Sequence, residues 1–175
     1  IKEARRYFDT LMHCDLLEDI GLCNIMLYSY AKVGYMDEAI QLYRMILEKG
    51  ITPTVVTFNS VIYGFCKSRR LADARIWLNA IESHGLVPSA VTYTTLMNAF
   101  CEERDMQAMF KLLKEMEARA IEPTHVTYTV VIKGLCRQRK VKEAVGVLQD
   151  MFAKGVSPDE ISYNIIIQSL CKTQD

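Results

Sequence analysis

Along most of the chain, apolar residues recur at steps of three and four, the spacing of one face of a helix. From Val55 onward, Phe58, Val61, Ile62 and Phe65 form such a stripe, and Tyr93, Leu96, Met97 and Phe100 fill the same slots thirty-five residues later. A polar break, "KSRR" here and "RQRK" in a later copy, precedes a second stripe of Leu71, Ala74, Leu78 and Ile81. That stripe runs out at Gly85 with Pro88 beyond, a combination that stops a helix. The pattern predicts helix, tight turn, helix and loop. The β-branched "VVT" opening does not make a strand, because the 3.6-residue period takes over at once.

The whole pattern then repeats. Pro53, Pro88, Pro123 and Pro158 are thirty-five residues apart, as are Phe58, Tyr93, Tyr128 and Tyr163, and Ile46, Ile81, Met116 and Met151. No insertion interrupts the count from residue 20 onward. Such a period predicts an all-α fold, an α-solenoid in which each unit buries its apolar face only against its neighbours. The expected units are residues 20–54, 55–89, 90–124 and 125–159, with 1–19 the second helix of a truncated repeat and 160–175 the first helix of another. The tenth position of each unit is small (Ser29, Gly64, Ala99, Gly134, Ser169), which predicts a close approach by a neighbouring helix.

If positions four, seven, eight and eleven of the first helix face the core, positions two, five, nine and thirteen form a different stripe. Position two is Gly21, Val56, Val91, Val126 and Ile161, apolar in a place off the core. Position five is Asn24, Asn59, Thr94, Thr129 and Asn164, always small and able to hydrogen-bond. Position thirteen is Lys32, Lys67, Glu102, Arg137 and Lys172, basic in four of five. The residue after each proline adds Thr54, Ser89, Thr124 and Asp159. Each set has a plainer reading: helix N-caps for the last, a solvated face for position five, and a favourable helix carboxyl end for the cations. Position nine (Tyr28, Tyr63, Asn98, Lys133, Gln168) shows what an indifferent surface looks like, and position five is more restricted. Apolar, small polar and cationic positions in parallel suit a single-stranded nucleic acid, whose bases stack, present polar edges and carry phosphates.

Composition adds few constraints. With 21 basic and 21 acidic residues among 175, the chain has no global electrostatic footprint for nucleic acid, so such binding must rest on local arrangement. No apolar run approaches the ~20 residues of a membrane span. The opening "IKEARRYFD" resembles the middle of a helix, so the chain reads as a piece of a longer protein. Of the six cysteines, Cys66, Cys101, Cys136 and Cys171 lie one repeat apart. Stacked helices at roughly 8–10 Å place such positions too far apart for a disulfide or a shared zinc. Cys14 and Cys23 have no CxxC spacing, and buried reduced thiols are expected. His13, His84 and His125 share no register, and no phosphate loop or paired-carboxylate motif is present, so neither an enzyme nor a cofactor or small-molecule substrate is expected.

The stretch "VVTFNSVIYGFCKSRRLADARIWLNAIESHGLVPS" resembles the pattern "VTYNxLIxGxCKxGxxxEAxxLxxxMxxxGxxPD" of the pentatricopeptide repeat family nearly end to end, and the likeness covers essentially the whole chain. It resembles the P-type class, since every visible unit has thirty-five residues. The resemblance implies a right-handed solenoid that binds single-stranded RNA at one base per repeat, in a mitochondrion or chloroplast, in RNA processing or stabilisation and alongside other organellar RNA-processing proteins. In the family, position five and the last position select the base, position two sandwiches it, and a basic position thirteen meets phosphate. Carried over, Asn24 with Thr54 implies a pyrimidine, Asn59 with Ser89 C over U, Thr94 with Thr124 a purine (A), Thr129 with Asp159 G, and Asn164 a pyrimidine. The implied core is Y-C-A-G-Y. Val56, Val91, Val126 and Ile161 are the implied sandwiching residues, and Lys32, Lys67, Arg137 and Lys172 the implied phosphate contacts. Gly21, Cys23 and Glu102 depart from the pattern and imply a weak grip in the unit from Ile20 and in the unit from Ala90. The alternative function is a helical-repeat scaffold for proteins, which the neutral charge fits equally well.

Overall fold

The computed structural model describes residues 19–172, and the expected helix within 1–19 lies almost wholly outside them. The described residues form nine α-helices and no strand. First helices of the repeats are α1 (Ile20–Val33), α3 (Val55–Lys67), α5 (Ala90–Glu102), α7 (His125–Arg137) and α9 (Glu160–Lys172). Second helices are α2 (Met36–Glu48), α4 (Leu71–Ser83), α6 (Met106–Ala118) and α8 (Val141–Ala153). This is an all-α helical-repeat fold. The chain divides into two compact units, residues 1–92 and 93–175, with the division inside α5.

In the first unit, α1 packs on α2 and α3, and α3 packs on α4. Phe58, Val61 and Ile62 of α3 are fully buried, together with Leu27 of α1, Ile46 of α2 and Ile81 of α4. An aromatic group joins the two helices of the second repeat to α2. Tyr43 and Trp77 meet edge to face at 4.7 Å, Phe58 lies 5.0 Å from the His84 ring, and the Tyr43 hydroxyl approaches His84 Nε2 at 3.3 Å. His84 is thus a structural ring. In the second unit, α7 packs on α6, α8 and α9. Its core includes Tyr93, Leu96, Met97, Met109, Leu112, Met116, Ile132 and Met151.

The small tenth position has a direct steric cause. A Cβ on Gly64 would lie 2.8 Å from the Ala31 methyl and closer still to Met36, and one on Gly134 would lie 2.9 Å from Met106 Sδ. Gly146 in α8, by contrast, has open space around it. Gly64→Ala is therefore expected to destabilise the chain by about 2 kcal/mol through overpacking, despite alanine's better helix propensity. Gly146→Ala should stabilise by about 1 kcal/mol. Urea unfolding of both variants checks the opposite signs.

The turns reuse one backbone solution with different residues. After the second helices, Gly50, Gly85 and Gly155 take the left-handed conformation at φ of 71°, 69° and 73°, and Ala120 takes it at 54°. After the first helices, Gly34 is left-handed at 93°, while its equivalents Arg69, Arg104 and Arg139 stand at 58–60°. A side chain with a Cβ costs roughly 1–2 kcal/mol there. Ala120→Gly should relieve that strain and raise the urea midpoint, by about 1 kcal/mol of stability. A lowered midpoint would contradict the strain.

Candidate nucleic-acid interface

The first helices carry all the residues singled out by the off-core stripe. At position two, Val56, Val91, Val126 and Ile161 are 47–63% exposed, unusual for β-branched side chains one turn from a packed core. Gly21 is exposed as well, and its N–H is taken by the Asp19 carboxylate at 2.7 Å.

Position five is not a solvated face. Asn24 and Thr94 are buried and Asn59 and Thr129 half-buried, because the N-terminus of the next first helix covers them; Asn164 is exposed. Each of the four covered side chains touches a hydroxyl two residues inside that next helix. Asn24 Oδ1 accepts from Thr57 Oγ1 at 2.7 Å, and Asn59 Oδ1 from Thr92 Oγ1 at 2.6 Å. Thr94 and Thr127 meet hydroxyl to hydroxyl at 2.8 Å, and Thr129 and Ser162 at 2.7 Å.

The residue after each proline reaches the same hydroxyl from the other side. Thr54, Ser89 and Thr124 each donate a backbone N–H to Thr57, Thr92 or Thr127 Oγ1, at 3.0–3.1 Å. Ser89 and Thr124 Oγ accept the N–H of Thr92 and Thr127 at 3.4 Å, and Asp159 Oδ1 accepts that of Ser162 at 2.9 Å. The capping role is therefore real for these three. The Ser162 N–H also holds the Asp159 carboxyl below its ordinary range. Capping uses one oxygen of Asp159, so the second remains for other partners. Position five and the post-proline residue are thus brought together four times, on Thr57, Thr92, Thr127 and Ser162, residues that the sequence reading passed over. The signal was present, since these four equivalent positions all carry hydroxyls.

The cations are less uniform. Lys32, Lys67 and Lys172 are exposed. Arg137 donates to Glu102 Oε2 at 2.8 Å and to the Cys101 carbonyl at 3.1 Å, and Lys133 donates to the other Glu102 oxygen and to Asn98 Oδ1 at 3.3 Å. The Lys133 hydrogen bond, ahead of that from Arg137, keeps the Glu102 carboxyl low. Lys133, Arg137, Arg139 and Lys172 line one groove of about 420 Å³ along α7 and α9. The sequence reading did not single out Lys133 or Arg139 for this place.

The cysteines divide. Cys23 and Cys101 are buried, Cys66 and Cys136 partly so, and Cys171 is exposed, which departs from the expectation of uniformly buried thiols. α9 has no following helix over it among the described residues. Burial pushes the Cys66 thiol up to about 12, so it stays protonated. Among the described residues no group of three or more His, Cys, Asp or Glu is placed to hold a metal ion, and no helix is long and apolar enough to cross a membrane.

The chain is similar to the pentatricopeptide repeat protein PPR10 from maize, at 27% identity over 97% of this chain and 24% of that one, with a TM-score of 0.79. It is also similar to PPR10 in complex with an 18-nt psaJ RNA element, at 28% identity over 97% and 25% of the two chains, with a TM-score of 0.85. The chain thus spans about a quarter of the length of PPR10. The PPR domain of Arabidopsis thaliana protein-only RNase P 1, in complex with tRNA, shares the fold at 22% identity over 88% and 81%, with a TM-score of 0.68. No match to an individual curated protein sequence was found. The profile of the PPR repeat family matches residues 18–67, 53–102, 88–137 and 126–172, and the chain belongs to that family.

Proposed function

We propose that this chain binds single-stranded RNA in a sequence-specific manner, at one base per repeat. The observation that carries the reading is the fourfold convergence of a position-five side chain and a post-proline residue on one buried hydroxyl, beside an exposed position-two side chain. The likeness to the RNA-bound form of PPR10 supports it. In order along the chain, Asn24 with Thr54 takes a pyrimidine and Asn59 with Ser89 takes C over U, both in the first unit. Thr94 with Thr124 takes A, Thr129 with Asp159 takes G, and Asn164 takes a pyrimidine in the second. The core is Y-C-A-G-Y. Val56, Val91, Val126 and Ile161 sandwich the bases, while Lys32, Lys67, Arg137 and Lys172 meet phosphates. An acceptor-rich Asp159 suits guanine, whose Watson–Crick edge offers an N–H and an amino group. We place the activity in RNA processing or stabilisation in a mitochondrion or chloroplast, on the strength of the repeat pattern.

Fluorescence anisotropy with an RNA carrying the core, against RNAs changed at one base, tests the assignment. Each change should weaken binding about tenfold, and Thr129→Asn should move the fourth preference from G toward a pyrimidine. Equal binding of cognate and scrambled RNA would instead favour the scaffold reading.

Glu102 competes with phosphate for Arg137 and Lys133. Glu102→Gln should release both cations and tighten binding several-fold. The slope of log K against log salt should steepen by about 0.7 for each phosphate gained. An unchanged slope would separate these cations from the RNA backbone.

A further inference from the structure

We infer that the buried hydroxyl at the third position of each following helix, Thr57, Thr92, Thr127 or Ser162, is a positioning residue that sets the hydrogen-bond polarity of the base-selecting pair. The inference rests on the RNA reading proposed above and deepens it. These four side chains are 0% exposed, so they cannot touch a base themselves. What they do is decide which atoms of their neighbours remain to be offered.

In the two Asn pairs the direction is fixed by chemistry. An amide oxygen only accepts, so Thr57 must donate to Asn24 Oδ1 and Thr92 to Asn59 Oδ1. The same hydroxyls accept the backbone N–H of Thr54 and Ser89. Each amide oxygen is thereby held by the protein, so what each side chain still has to offer is its amino group; that of Asn24 already donates one hydrogen to Thr54 Oγ1 at 3.4 Å and keeps the other. These pairs present donors, which suit O2 and N3 of cytosine and the carbonyl oxygens of uracil.

In the fourth pair the direction reverses. Asp159 Oδ1 only accepts, and Ser162 gives it its single hydroxyl hydrogen at 2.8 Å. With the Ser162 hydrogen spent, Thr129 cannot accept from it, and the Thr129 hydrogen goes either to the His125 carbonyl at 2.8 Å or to Ser162 Oγ at 2.7 Å. Either way the Thr129 hydrogen is consumed within the protein. Thr129 and the second oxygen of Asp159 are left as acceptors, matching the donors of guanine. Between Thr94 and Thr127 two hydroxyls meet, and neither residue type imposes a direction. That pair alone can present either polarity. The relay therefore links the post-proline residue to position five through an atom that never meets the RNA.

The test uses the chain with Thr92→Val, which keeps the shape and removes the hydroxyl, and Thr92→Ser, which restores it. Binding is measured against the core RNA and the RNA with a purine at the second base. Thr92→Val should cut discrimination at that base from about tenfold to about twofold, leave the fourth base unaffected, and be rescued by Thr92→Ser. A stability effect alone would weaken binding to all RNAs in proportion. Thr57→Val repeats the measurement on the first base should Thr92→Val not fold. If wild type discriminates and the folded valine variant discriminates equally, the relay is overturned while the RNA reading stands. A wild type with no base preference overturns both.

Discussion

The close approach of α3 and of α7 to the repeat before each is the constraint on which much of the remaining geometry depends. At the tenth position of α3 a methyl group would collide with the fixed Ala31 methyl and with Met36, and at that of α7 it would have to push aside the end of the Met106 side chain. The same kind of approach brings the N-terminus of α3 over Asn24 and that of α9 over Thr129, at hydrogen-bond lengths of 2.7 Å. Hydrogen bonds weaken quickly beyond ~3.2 Å. A few tenths of an ångström lost in the packing would therefore be felt at the candidate interface, though the two contacts lie on different faces of the helix. Core and site share one spacing.

This coupling also limits how the repeats can pair. Thr57, Thr92, Thr127 and Ser162 are polar groups with no access to water, and leaving such a group unsatisfied costs about 1–3 kcal/mol. Their partners are position five of the preceding first helix and the residue ahead of their own. Sliding one first helix against the next by a residue would break the bonds to position five, while the local bonds to the capping residue, three positions earlier in the same segment, would move with their helix. Apolar packing alone tolerates such slips better, because dispersion contacts are interchangeable. The hydroxyls thus specify register in addition to any effect on a ligand.

Much of this was legible in the sequence, and the parts that were not have identifiable reasons. The 3.6-residue period and the thirty-five-residue recurrence predict the alternation of helices, and the small tenth position predicts a close contact. The off-core stripe also predicts the exposure of Val56, Val91, Val126 and Ile161. Periodicity assigns faces but does not reveal which side chain on a neighbouring helix arrives there. The sequence consequently assigns position five to an off-core, base-selecting face, without showing that Asn24 and Thr94 are buried under the following helix. The third-position hydroxyls were passed over because Thr beside Val in "VVT" reads first as β-branched character. The left-handed backbone at Arg69, Arg104 and Arg139 could not be foreseen, since three arginines stand where Gly34 supplies the conformation more easily.

The charge balance shows why a whole-chain sum is a poor guide to an interface of this kind. Fixed charges separated by more than a screening length of ~8 Å act almost independently at physiological salt. What a phosphate would meet along α7 and α9 is the local set of Lys133, Arg137, Arg139 and Lys172, and not the net charge of zero. Within that set Glu102 already holds two of the four cations, so the groove has less free positive charge than its lining suggests. Arg139 enters it from a strained backbone, and Lys172 from the end of α9. The local field is therefore set by which carboxylate lies within reach of the groove, a feature that depends on one position in one repeat and that no average over the chain retains.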